Sequence, residues 1–294
     1  MMSSDFQTTT HGKWILAGEH AVIRNHGALV FPIKEKKLSL EFSQSKTELS
    51  ASFDGTTGAD THLLFWSVLE QGMQLLGKSL KTLSGHFNLS TNIPVGVGLG
   101  ASAALCVAMA RWFATRYFAP NLDVAEFAKQ LEHLFHGKSS GLDIAGVAAS
   151  SGIYFKDGYS EPLKVAWKPL WSLSSCGQIG MTSHCINEVQ TLWQNDPKRA
   201  VLIDQQMEQA VFEARKSLEE HTDNSETMLA KAINNAAECF LQWGLVSTSL
   251  SQHMQKLRDK GAIAVKPTGS GGGGYVISLW KSIPKEIDID LIAI

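Results

Sequence analysis

The residues best equipped for chemistry in this sequence gather around two glycine-rich segments. In the first, Pro94-Val-Gly-Val-Gly-Leu-Gly-Ala-Ser-Ala-Ala104, glycines give way directly to helix formers. Glycine lets the backbone turn its N–H groups to one side with no Cβ in the way. A helix start adds free amides and the positive end of a dipole. The combination is an anion cradle, with a tight packing turn as the structural alternative. It is not a Walker A loop, because no Lys-Ser/Thr follows the last glycine. A dinucleotide fingerprint nearly fits at Gly96-x-Gly98-x-x-Ala101, but the acid at the right distance, Asp123, reads as a helix cap. The second segment, Gly269-Ser-Gly-Gly-Gly-Gly274, fits GxGxxG by letters yet precedes a strand. That suits a flexible backbone touching a phosphate or a neighbouring loop.

Charged residues in apolar surroundings form the second group. Lys13 opens an apolar strand, Glu19-His20 follow Ile15-Leu-Ala-Gly18, and Asp143 sits inside Gly-Leu-Asp-Ile-Ala. A lone carboxylate there is costly unless paired or hydrogen-bonded. Asp143 therefore reads either as half of a structural Lys–Asp pair or as a positioned base with a lysine beside it. Glu132, His133 and His136 lack the HExxH order and a cysteine partner, which argues against zinc. A carboxylate at a helix end facing a phosphate cradle is instead a natural Mg²⁺ ligand. Gly137-Lys-Ser-Ser-Gly141 matches GxSxG, the pattern of a serine hydrolase with Ser139 as nucleophile. A nucleophile elbow follows a strand and opens a helix, whereas here a helix precedes it and no long helix follows.

These residues need elements to hold them. Apolar runs at 13–23, 28–33 and 38–42 predict strands, and 60–78 predicts a helix with Gly77 near its end. Another strand is expected at 86–89 and a helix at 101–119. Asp123 with Glu126 three residues on resembles a capping box for a helix over 124–135. Lys156-Asp-Gly158 is a turn after the small, apolar run 141–155. A boundary is expected at 160–172, around Pro162 and Pro169, dividing the chain into domains 1–168 and 169–294. Helices are predicted at 197–221, 226–243 and 250–260, the last closed by Gly261, and strands at 262–265 and 275–280. Strands and helices mix without strict alternation, which favours α+β.

Composition removes several function classes. The chain has 294 residues, 44% of them hydrophobic, enough to bury a sizeable core. Lys plus Arg number 26 against 28 Asp plus Glu, a net of −2, so nothing points to nucleic acid or an anionic membrane. Cys106, Cys176, Cys185 and Cys239 contain no CxxC pair and read as reduced thiols. The charge-free stretch between Lys81 and Arg111 holds Asn88, Asn92, Pro94 and four glycines, poor material for a bilayer span. The first residues lack the basic and apolar regions of a signal peptide, and a cytoplasmic location is expected.

Taken in order, the motifs resemble those of the GHMP small-molecule kinases and, within them, the mevalonate kinase family. Gly12-Lys-Trp-Ile-Leu-Ala-Gly-Glu-His-Ala-Val22 is similar to PGKxxLxGEHAV, and 94–104 is similar to PxGxGLGSSAA. Glu132-x-x-x-His136-Gly-x-x-Ser140-Gly-x-Asp143 resembles ExxxHGxxSGxD, and Lys266-Pro-Thr-Gly-Ser-Gly-Gly-Gly-Gly274 resembles KxTGAGGGG. Galactokinases have GEHTDY at the first motif, phosphomevalonate kinases usually GEYAV, and homoserine kinases lack the carboxylate that Asp143 matches.

The resemblance implies a two-domain α+β GHMP kinase fold, with a ribosomal protein S5 domain 2-like N-terminal domain and a ferredoxin-like C-terminal domain. It implies ATP- and Mg²⁺-dependent phosphorylation of mevalonate in the route to isoprenoids, by a cytoplasmic enzyme for which a homodimer is one assembly. Gly96, Gly98, Leu99, Gly100, Ala101 and Ser102 would cradle the ATP phosphates, with Gly269, Gly271 and Gly272 closing on them. Ser102 and Glu132 would bind Mg²⁺. Asp143 would accept the proton of the substrate hydroxyl, held by Lys13, while Glu19 and His20 would line the substrate pocket. Retention of Lys13, Ser102, Glu132 and Asp143 together speaks against a catalytically silent binding paralogue. The chain departs from the family at His11 and Ser139 (usually Pro), Ala101 (Ser), Arg24-Asn25 (Tyr-Gly) and Thr248 (often His). The alternatives are another GHMP kinase, acting on phosphomevalonate or a sugar, and the GxSxG hydrolase.

Overall fold

The computed structural model describes residues 5–116, 122–136 and 139–294. Its first half runs β1 (Phe6–Ala17), a single 3-10 turn (Ala21–Arg24), β2 (Ala28–Glu48), β3 (Ser50–Asp54) and α1 (Gly58–Leu75). A 3-10 turn (Leu80–Thr82), β4 (Ser84–Thr91), α2 (Ala101–Arg116), α3 (Val124–His136), α4 (Leu142–Ala148), β5 (Ile153–Lys156) and β6 (Tyr159–Pro162) complete it. The second half runs β7 (Leu170–Ser175), α5 (Thr182–Asn195), α6 (Pro197–Glu219), α7 (Ser225–Gln242) and α8 (Thr248–Asp259). It ends in β8 (Ala262–Thr268), β9 (Tyr275–Trp280) and β10 (Ile292–Ala293).

By packing, the chain forms two interleaved units. One holds the residues up to Lys13 with Pro32–Val95 and Leu99–Ser150, the other Trp14–Phe31, Gly96–Gly98 and Ser151–Ile294. In the first unit β3 and β4 run parallel, as the α1 crossover requires, and β4 pairs antiparallel with 38–43 of β2. The sheet residues Phe42 and Phe87, 4.6 Å apart, meet Phe65 of α1 and Trp112 of α2 in edge contacts of 4.8–5.3 Å. This aromatic core seats α2, which follows the glycine segment, and Phe113 of α2 in turn meets Phe127 of α3 at 5.5 Å. Asp123 caps α3 as expected, its Oδ1 accepting from the N–H groups of Ala125 and Glu126 at 2.9 and 3.1 Å.

In the second unit 28–30 of β2 pair with β5, and β5 with β6, both antiparallel. A separate antiparallel sheet runs in the order β10-β7-β9-β8. Leu250, Met254 and Leu257 of α8 pack on Val265, Val276 and Trp280 of that sheet. Trp14, Phe31 and Trp171 form a further aromatic cluster.

Several expectations change here. The predicted strands 28–33 and 38–42 are one 21-residue strand, because the intervening Lys34-Glu35-Lys36-Lys37 stays extended with Lys34, Glu35 and Lys37 exposed to solvent. The strand expected to reach residue 23 ends at Ala17, where Gly18 at φ +107° and His20 at φ +60° break it. The run 141–155 contains the helix α4, and β3, β7 and α5 escape the pattern reading altogether. The predicted helix 101–119 is α2 as far as Arg116; the remainder lies outside the described residues. No helix among the described residues is long and apolar enough to cross a membrane.

Candidate active site

In the first unit, Lys13 lies near the end of its share of β1 and is almost wholly buried. Its backbone N–H donates to the Leu99 carbonyl at 2.9 Å, docking β1 on the glycine segment just before α2. Its Nζ reaches Oδ1 of Asp143 at 2.7 Å. Asp143 stands in the first turn of α4 between buried Leu142 and Ile144, and its side chain keeps 32% exposure against 2% for Lys13. The cation is thus buried while the carboxylate is accessible. Gly96, Gly98 and Gly100 take φ of +79°, +83° and +82°, alternating with Val97 and Leu99. A Cβ at Gly100 would lie 2.9 Å from Lys13 Cγ and 3.1 Å from Val147, so glycine there is what lets the lysine stem pass. Ala101 and Ser102 then open α2.

Glu132 on α3 shares this unit. It is 1% exposed, and Oε2 accepts a hydrogen bond from the Ser139 hydroxyl. Oε1 has no hydrogen-bond partner among the described residues. Burial pushes its pKa up to about 7 and the Asp143 charge adds to this; the Ser139 bond and the Lys13 charge oppose. His133 is exposed, facing away from buried Glu132, and no cluster of three or more His, Cys, Asp or Glu residues suits a metal among the described residues. Ser139 follows a helix rather than a strand and spends its hydroxyl proton on a carboxylate, so the hydrolase reading loses its nucleophile.

The second unit carries the other motifs. Glu19 Oε1 and Lys266 Nζ pair at 2.6 Å, both buried, and Lys266 also donates to the Ile15 carbonyl and lies 5.1 Å from the Phe240 ring centre. Thr268 exchanges hydrogen bonds with the backbone of Ile15 at 2.8 and 3.0 Å, tying β8 to the start of the Glu19-His20 segment. Gly269 packs on Gly98, where a Cβ would come within 3.1 Å of its Cα. Arg24 donates to both carboxylate oxygens of buried Asp204, at 2.5 and 2.8 Å, and lies over Trp193.

His20 stacks edge-on against Phe240 and Trp243, and its Nε2 lies 2.8 Å from the Ser270 carbonyl. A carbonyl only accepts, so Nε2 carries the proton and Nδ1 is left as an acceptor. Burial pulls the ring's pKa down from 6.5 to about 4, with the Ser270 hydrogen bond resisting. The folded value lies below the unfolded one, so unfolded chains protonate first as pH falls. Its contribution to stability is present above pH 6.5 and is lost on the way down to about 4. The melting temperature is expected to drop across that window, and less so in His20→Asn, since Asn tolerates positive φ. Equal drops in the two proteins would remove His20 as a source.

Residues 64–152 match the family model described as the GHMP kinases N terminal domain. Over that segment the chain is similar to the GHMP kinases. The mevalonate kinase of Pyrococcus horikoshii is 27% identical over 300 residues, spanning 94% of this chain and 88% of the relative. The crystal structure of L. major mevalonate kinase in complex with R-mevalonate superposes with a TM-score of 0.77 at 22% identity, covering 96% and 90% of the two chains. Methanococcus jannaschii mevalonate kinase gives 0.73 at 18% identity, covering 100% and 98%. These likenesses carry the α+β fold over the whole length of the chain.

The structure brings Lys13, Asp143 and Glu132 together in one unit, and Glu19 and His20 with the Lys266–Gly274 motif in the other. Glu19 is engaged by Lys266, a partner that pattern reading passed over although its signal was present: a lysine inside the apolar strand β8. Ser139 and Asp204 were likewise missed as partners of Glu132 and Arg24. Asn25 takes the left-handed conformation at φ +64° that closes the turn after Arg24. Thr248 simply opens α8, behind an N-cap at Ser247.

Proposed function

We propose that this protein transfers the γ-phosphoryl group of ATP to the primary hydroxyl of mevalonate, giving 5-phosphomevalonate. The observation that carries the reading is the Lys13–Asp143 pair at 2.7 Å, in the unit that also holds the start of α2 and Glu132. Phosphoryl transfer asks little covalent chemistry of a protein; positioning and charge neutralisation supply most of the rate. The backbone of Gly96, Gly98, Leu99, Gly100, Ala101 and Ser102, with the positive end of α2, binds the phosphates, and Gly269, Gly271 and Gly272 close on them. As the substrate oxygen bonds to the γ-phosphorus and ADP leaves, Asp143 accepts the hydroxyl proton. Lys13 holds Asp143 in place and offsets charge on the transferred group. His20, neutral with Nδ1 free to accept, receives a substrate hydroxyl hydrogen bond, and Glu19 acts by fixing Lys266. The relatives named above are mevalonate kinases, which supports this acceptor. Four free thiols, three of them buried, suit a reducing cytoplasm.

The buried, unpartnered Oε1 of Glu132 fits a cation ligand, and Mg²⁺ is commonly held by one or two carboxylates plus substrate phosphates. We assign Ser102 and Glu132 to it. When bound, the ion neutralises phosphate charge. Glu132→Gln keeps the shape and loses the charge, and the Mg²⁺ concentration for half-maximal turnover is expected to rise about tenfold. An unchanged Mg²⁺ titration would take Glu132 out of the metal site.

The deciding assay is ADP release with mevalonate, phosphomevalonate, galactose and homoserine offered in parallel. Turnover should be confined to mevalonate. Comparable turnover of another acceptor would overturn the substrate, and no release with any of them would overturn the kinase.

A further inference from the structure

We propose that Ser139 is a positioning residue that sets which oxygen of Glu132 is offered to the metal, and ties that choice to the helix bearing Asp143. The proposal rests on the kinase reading and on the assignment of Glu132 to Mg²⁺. A carboxylate's terminal torsion is broad and nearly two-fold, so a glutamate presents either oxygen unless something selects one. Here the Ser139 hydroxyl donates to Oε2, and Oε1 is left without a partner. The hydroxyl is itself oriented: its oxygen accepts the Gly141 N–H at 3.0 Å, which directs its one proton towards Glu132. Gly141 is the N-cap residue of α4, in the left-handed conformation at φ +86°, and Asp143 follows two residues on. One hydroxyl therefore links α3, which carries the metal carboxylate, to α4, which carries the base. With Glu132 only 1% exposed, water is not at hand to replace the lost bond.

The resembling family usually has proline where this chain has Ser139, which separates two explanations. Proline stiffens the turn and has no hydroxyl; threonine keeps the hydroxyl. The test measures Mn²⁺ binding by EPR to the full chain with a non-hydrolysable ATP analogue, for wild type, Glu132→Gln, Ser139→Ala, Ser139→Thr and Ser139→Pro. Melting temperatures establish that each variant is folded. Ser139→Ala and Ser139→Pro should both weaken Mn²⁺ binding about tenfold, the scale of losing a partner of a metal ligand, and Ser139→Thr should stay near wild type. Wild-type affinity in folded Ser139→Ala would overturn the proposal. So would affinity restored by proline but not by threonine, since the serine would then matter only as a turn residue. If Glu132→Gln itself binds Mn²⁺ like wild type, the metal assignment fails, and the role of Ser139 falls with it.

Discussion

Asp143→Asn is expected to lower kcat by about three orders of magnitude, the scale of a lost general base, with KM for both substrates nearly unchanged. The amide keeps the carboxylate's shape, and its Oδ1 still accepts a hydrogen bond from Lys13, so the site's geometry survives. What it cannot do is take the hydroxyl proton. The substitution also acts on stability, because the buried member of the pair is the cation: Lys13 is 2% exposed and Asp143 is 32%. Neutralising Asp143 leaves an ammonium in the interior with only an amide for company, at a cost of about 2 kcal/mol. Steady-state turnover and a thermal melt together test both halves. Near-normal kcat would reject the assignment of the base.

Lys13→Met is the complementary experiment and separates the two roles of the pair. Methionine fills the channel past Gly100 and removes the buried charge, while the remaining carboxylate is accessible enough to be solvated. The melting temperature should therefore hold or rise slightly. Turnover should still fall by about two to three orders of magnitude, because a cation no longer offsets the charge on the transferred phosphoryl group and nothing holds Asp143 in position. In the double variant Asp143→Asn/Lys13→Met the stability lost in Asp143→Asn should return while activity stays low. A melting temperature that falls as far in Lys13→Met as in Asp143→Asn would show that the buried lysine is not the strained partner.

The sequence by itself determined the parts of this protein that depend on local backbone chemistry. Three glycines spaced two apart ahead of a helix-forming run specify positive φ at 96, 98 and 100 and a helix start at 101, and the structure has both. Asp123 and Gly261 mark helix ends through bonds to residues two or three positions away, so their roles were legible without a partner elsewhere. The order of the motifs carried the resemblance to the GHMP kinases, whose N-terminal domain model matches residues 64–152. Only the tertiary structure decided who pairs with whom. Glu19 meets Lys266, 247 residues away in sequence, and Arg24 meets Asp204 at a separation of 180, because strand and helix packing, not spacing, brings those side chains together. The long strand β2 formed through a charged stretch because pairing with neighbouring strands outweighs the weak local preference of four charged residues. The interleaving of the two packing units also has no local signature, since it follows from strands β1 and β2 each running on from one unit into the other. The same holds for Ser139: its type was visible as half of a GxSxG pattern, but its use as a donor to Glu132 became visible only once α3 and α4 were folded against each other. Burial and pairing are properties of the assembled core, and a single chain of letters specifies them only through it.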